Sequence, residues 1–91
     1  MESANFALLV TPPALRGLDR LGESTAAAVV EFLLGDVSNA PRGVGRPLRR
    51  DLDGLWSARR GPYRVVYEID DAAQLVVIVR IDHRADVYRP R

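Results

Sequence analysis

The stretch Gly54-Leu-Trp-Ser-Ala-Arg-Arg-Gly-Pro-Tyr-Arg-Val-Val-Tyr67 decides how the rest of the chain is read. Two runs of strand-forming residues flank Gly61-Pro62, a pair that marks tight turns. The pattern predicts strands over residues 55–59 and 63–69. Asp70-Asp71 supplies a second turn and residues 75–81 a third strand, which together make an antiparallel meander. Within the middle strand Tyr63, Val65, Tyr67 and Ile69 alternate with Arg64, Val66, Glu68 and Asp70. Successive side chains of a strand point to opposite faces, so the first set packs inward and Arg64 lies on the outer face.

Upstream, Phe6 to Val10 reads as a first strand. Thr11-Pro12 suits the N-cap and first position of a helix, where proline's missing N–H costs nothing. Leu15, Leu18 and Leu21 form its expected buried stripe, and Gly22 ends it. A second helix begins near Ser24, with Ala27, Val30, Phe32, Leu33 and Leu34 as apolar surface and Gly35 at a left-handed C-cap. The short connection predicts a helical hairpin. Residues 36–53 lose periodicity and carry Pro41, Gly43, Gly45 and Pro47 among four arginines, which reads as a long basic loop. The fold class expected is α+β. A small antiparallel-dominated sheet, in the order β-α-α-β-β-β along the chain, packs on an N-terminal helical hairpin.

A chain of 91 residues, 47% of them apolar, makes one folded domain over 1–91. It has no cysteine and one histidine, which excludes a disulfide framework and argues against a zinc site. The apolar run 26–34 is broken by Glu31 and is too short to span a bilayer. Met1-Glu2-Ser3 lacks the basic region of a secretory signal, so the expected location is the cytoplasm.

The net charge is only +1, yet it is unevenly spread. All 13 basic residues are arginine. Seven lie between positions 42 and 64 against only Asp51 and Asp53, a window of net +5. Such clustering points to a polyanionic or acidic partner. No phosphate-binding glycine loop, nucleophile elbow or metal-spaced histidine pair is present. The chemistry on offer is that of arginine, which grips phosphate through a planar fork of donors and cannot serve as a base.

Three motifs then carry a family resemblance. The quoted central stretch resembles the RelE-type pattern in which a strand ending in Arg turns into a Tyr-Arg strand. Asp82-His-Arg-Ala-Asp-Val-Tyr88 resembles that family's terminal motif, and Gly45-Arg-Pro-Leu48 the loop entering its sheet. With the helical hairpin, the resemblance to the RelE/ParE toxin superfamily covers nearly the whole chain.

The resemblance implies a toxin of a type II toxin–antitoxin module. Its ribonuclease members cleave mRNA in the ribosomal A site by 2′-OH attack on the adjacent phosphate, with no metal or cofactor. Carried over residue by residue, Arg64 would clamp the scissile phosphate and Arg84 would stabilise charge or assist the leaving group. Tyr88 would stack on a base. Some members have lysines on the strand before the Tyr-Arg pair, where Leu55-Trp-Ser-Ala-Arg59 has none. That leaves His83, of the side-chain type that exchanges a proton near neutral pH, as the acid–base candidate. Arg46, Arg49, Arg50, Arg59 and Arg60 are expected to contact RNA backbone. The implied partners are a cognate antitoxin, the ribosome and mRNA. The alternatives are a ParE-like gyrase inhibitor without catalysis and a degenerate toxin that retains only antitoxin binding.

Overall fold

The computed structural model describes residues 5–49 and 52–83. Nine segments follow one another: β1 (Ala7–Val10), α1 (Pro12–Asp19), α2 (Glu23–Phe32) with a π-helical continuation (Leu33–Val37), α3 (Pro41–Val44), β2 (Arg46–Pro47), β3 (Leu55–Arg60), β4 (Tyr63–Asp70) and β5 (Leu75–His83). The strands form one sheet in the order β1-β5-β4-β3-β2. The meander of β3, β4 and β5 is antiparallel, as its turn residues dictate, and β1 adds to β5 in parallel.

Thr11 makes the junction between β1 and α1. Its side chain accepts from the Ala14 N–H at 3.4 Å, the N-cap role expected of it. Its hydroxyl also donates to the Ile78 carbonyl at 2.8 Å and lies 3.2 Å from that of Val79, so the cap is stitched to β5. α1 then runs so close to the strand that a Cβ at Gly17 would collide with the Ile81 carbonyl. Its buried residues are therefore the small Ala14 and Gly17. Leu18 and Leu21 pack at the margin of the core, whereas Leu15, expected in the stripe, is 48% exposed.

In α2 the inward residues are Val29, Phe32 and Leu33. Ala27, Val30 and Leu34 face outward, contrary to expectation. Gly35 does not cap the helix either; it lies within the π turn, and the helical path continues to residue 39. The π turn keeps Val37 and Ser38 buried, and Ser38 donates to the Phe6 carbonyl at 2.6 Å. The basic segment after it is also more ordered than a loop, since it contains α3 and β2. Tertiary contacts supply what local periodicity does not: β2 pairs with β3, and α3 rests on the sheet.

The core lies between the helices and one face of the sheet, where Ala58, Tyr63, Val65, Tyr67, Val76, Ile78 and Ile81 are buried against Val29, Phe32 and Leu33. The alternation read in β4 holds, with Tyr63, Val65 and Tyr67 inward and Arg64 outward. Gly17→Ala is expected to destabilise the protein by about 1–3 kcal/mol, because a methyl group overpacks the α1–β5 contact. Urea denaturation checks this, and Gly22→Ala, where a Cβ meets nothing within 4 Å, is the control.

Candidate functional site

The face of the sheet opposite the helices gathers the arginines. Register places Arg46 of β2 beside Ser57 of β3, Ser57 beside Val66 of β4, and Val66 beside Arg80 of β5. The neighbouring row runs Arg59, Arg64, Asp82. Adjacent strands lie about 4.8 Å apart, so four guanidinium groups from four strands share one surface. Arg64 is half-buried at its centre, and Arg46, Arg59 and Arg80 are exposed.

Arg80 reaches this face only because β5 is irregular. The register shifts at Val66/Tyr67, where Val66 pairs with Arg80 and Tyr67 with Ile78. Val79 is the extra residue of a bulge, which reverses the parity of everything after it. Without it Arg80 would follow Val76 and Ile78 into the core; with it Ile81 takes that place.

Not all the sequence candidates meet here. Arg59 lies directly across from Arg64, and Arg46 lies on the adjoining row. Arg60 points to the helix side, 5.3 Å over the Phe32 ring and 3.2 Å from Asp36. His83 pairs with Tyr63 and so leaves β5 on the face opposite Arg64. Arg49 is exposed beyond β2. Arg50, Arg84 and Tyr88 lie outside the described residues.

A groove of about 600 Å³ runs beside β2 and β3, lined by Val44, Arg46, Pro47, Leu48, Ser57 and Arg59. Two guanidiniums and a hydroxyl oppose an apolar wall, an arrangement that suits a phosphate with a base or sugar beside it. Ser57 carries no motif that marks it in the sequence, and strand parity from Arg59 is the signal that places it on this face. Among the described residues, no group of three or more histidine or acidic side chains converges in metal-ligating fashion.

The segment that carries Arg46 is held down at three points. The buried Tyr67 hydroxyl donates to the Pro41 carbonyl at 2.6 Å. Gly45 approaches that same hydroxyl too closely to tolerate a Cβ. Arg42 forms a bidentate pair with Asp71, at 3.0 and 2.7 Å, while its guanidinium lies 5.8 Å over the Trp56 ring. The hydrogen bonds from Arg42 hold the Asp71 carboxyl below the usual carboxylate range. Arg42 and Arg60 are thus engaged by carboxylates, whereas among the described residues no ion pair engages Arg46, Arg59 or Arg64 on the outer face.

Comparison with known proteins follows from this geometry. Residues 8–88 match the family model described as the ParE toxin of the type II toxin–antitoxin system, parDE. The chain is 54% identical to Toxin RelG of Mycobacterium tuberculosis, over 92% of this chain and 97% of that one. It is 51% identical to Toxin RelE of the same organism, over 92% and 87%. The crystal structure of the M. tuberculosis toxin–antitoxin complex RelBE2 superposes with a TM-score of 0.88 at 50% identity, covering 93% of this chain and 98% of that chain. The isolated E. coli RelE toxin shares the fold at a TM-score of 0.70 and 20% identity, over 91% and 90%.

Burial pushes the Tyr67 phenol up to about 12 from its usual 10.0. The folded state therefore favours the protonated phenol. Stability from this group is full below pH 10 and is lost as the pH rises towards 12. Tyr67→Phe removes that pH dependence but leaves the Pro41 carbonyl unsatisfied, at a cost of roughly 1–2 kcal/mol near neutrality. Chemical denaturation at pH 7.5 and pH 11 checks both statements.

Proposed function

The chain belongs to the RelE/ParE superfamily of type II toxin–antitoxin toxins, and on that premise we propose that it is a ribosome-dependent endoribonuclease that cuts mRNA in the A site. The observation that carries the reading is the outer face of the sheet, where Arg64 sits at the centre of arginines contributed by four strands. Identity above one half to toxins named RelG and RelE supports it.

In the proposed reaction the ribose 2′-oxygen attacks the adjacent phosphorus. The 2′-hydroxyl gives up its proton as the O2′–P bond forms and the P–O5′ bond breaks. O5′ takes up a proton and leaves as a 5′-hydroxyl, so that a 2′,3′-cyclic phosphate remains on the upstream fragment. Negative charge builds on the non-bridging oxygens as the phosphorus becomes five-coordinate. The guanidinium of Arg64, with that of Arg59 one strand away, stabilises this charge more than it stabilises the ground state. Arginine keeps its proton throughout, so these residues bind and polarise while proton transfer falls to other groups. Arg84 and Tyr88 are assigned charge stabilisation and base stacking. His83, the acid–base candidate of the sequence, leaves β5 on the face opposite Arg64 and is not assigned proton transfer at a phosphate held there. Arg46 and Arg49, with Arg50, hold RNA backbone without setting sequence preference.

Arg64→Ala should lower A-site cleavage about a hundredfold or more, with the melting temperature little changed because the residue is outside the core. Arg64→Lys should recover only part of the rate, since it retains charge without the fork. Primer-extension mapping of mRNA on programmed ribosomes reads both. A folded Arg64→Ala protein that cuts at the parental rate would sink the assignment. The match to the ParE family model favours the second reading, a gyrase inhibitor, and a DNA supercoiling assay run in parallel decides between them.

The proposed partner is a cognate antitoxin whose acidic segment covers the outer face. Its affinity should fall as salt rises from 50 to roughly 200 mM, and Arg59→Ala should weaken it, as read by isothermal titration calorimetry. An affinity indifferent to both would remove electrostatics from the interaction.

A further inference from the structure

At the β5 edge of the site just described, two arginines of the α1 end converge on Arg80. β1 pairs with β5 only from Leu75 to Ile78, so the later half of β5 has α1 for its neighbour. Between them lies a groove of about 320 Å³, lined by Pro13, Arg16, Arg20, Arg80, Ile81 and Asp82. Arg16 and Arg20 are four residues apart and both exposed, so they project from one side of the end of α1. Their position is fixed by the seat of the helix, since Gly17 lies against the Ile81 carbonyl.

The groove contains one carboxylate against three guanidiniums. Asp82 sits 3.3 Å from Arg80, contacting Nε and Nη2. The Arg80 side chain is 63% exposed and that of Asp82 only 15%, so the guanidinium stays open to solvent on the side away from its largely covered partner. Asp19 is on the same helix but does not line the groove. A cation in the last turn of α1 also complements the helix dipole, which accounts for Arg16. It does not account for Arg80, delivered from a separate strand by the bulge at Val79.

We propose that Arg16, Arg20 and Arg80 form a second contact surface for RNA phosphates, extending the arginine face past β5 onto α1. The row from Arg46 to Arg80 already crosses three strand spacings, about 14 Å, which is more than one nucleotide step. α1 lengthens that path at its far end. The strand held at Arg64 therefore continues over the β5 edge, and the groove takes the backbone flanking the reacting nucleotide. The inference rests on the RNA-target reading above, but it concerns binding and not cleavage.

The test uses fluorescein-labelled oligoribonucleotides of two lengths, a tetramer and a dodecamer, 2′-O-methylated throughout so that no nucleophile is present. Fluorescence anisotropy is measured across a salt series for the parent and for Arg16→Ala/Arg20→Ala. The double variant should bind the dodecamer roughly five- to tenfold more weakly and lose about 1.4 from the slope of log K against log salt, at about 0.7 for each phosphate contact. Its affinity for the tetramer should hardly change. Arg16→Lys/Arg20→Lys should regain most of the dodecamer affinity. An unaltered dodecamer affinity and slope overturn the proposal, as does a parent protein that binds neither oligomer at low salt. Unaltered RNA binding with weakened binding of the antitoxin would instead give this surface to a protein partner. Loss of ribosomal cleavage activity in Arg64→Ala is read in a different assay, so the two ideas fail separately.

Discussion

The closeness with which α1 sits against β5 sets the geometry of much of this molecule. Thr11 caps the helix and binds two consecutive carbonyls of the strand, and Gly17 lets helix backbone meet strand backbone without an intervening side chain. The first contact falls at Ile78 and Val79, beside the point where β5 bulges. The bulge then turns the Ile81 side chain into the core and Arg80 outward, with the Ile81 carbonyl against Gly17. One junction therefore seats the helix, closes the core and chooses which side chains the strand shows to solvent.

Two layers leave the sheet with two unlike faces. The side against the helices is tightly filled, with Tyr67, Val65, Val76 and Ile78 inaccessible to solvent. The other side carries guanidinium groups over a scaffold of hydrogen-bonded strands. The ladder fixes the spacing and direction of the strand positions that carry the charges, while the exposed side chains keep their rotamer freedom. The α3–β2 segment is less regular, and it relies on Tyr67, Gly45 and the Arg42–Asp71 pair to reach the same fixity.

Much of this was legible in the sequence because strand parity is a strict rule. The turn at Gly61-Pro62, the alternation through β4 and the outward direction of Arg64 all follow from it. Parity also separates Arg59 from Arg60, which charge counting alone had grouped together. The helices were harder to read. Leu15 is more apolar than Ala14 and Gly17, yet the small residues are buried because the constraint at α1 is distance of approach, not hydrophobicity. The π turn hid Gly35 within a continuing helix, where a C-cap was the local expectation. The role of Arg80 depended on a bulge, although an arginine in phase with Val76 and Ile78 was a signal that the phase must break. Arg16 and Arg20 join it only through the docking of α1, which no local pattern encodes.

Arg59 and Arg64 face each other across β3 and β4 as directly opposed like charges, a repulsion that Asp82, opposite Arg64 on β5, offsets only on one side. An anion lodged between them relieves that repulsion in the native chain and has no equivalent seat in the unfolded one. Occupancy and stability are then linked by mass action. Where such an anion binds, the empty protein would be the more easily opened form. In a chain of this small size that linkage makes turnover itself sensitive to what is bound. Proteolysis that samples the unfolded population would clear the unoccupied molecules first.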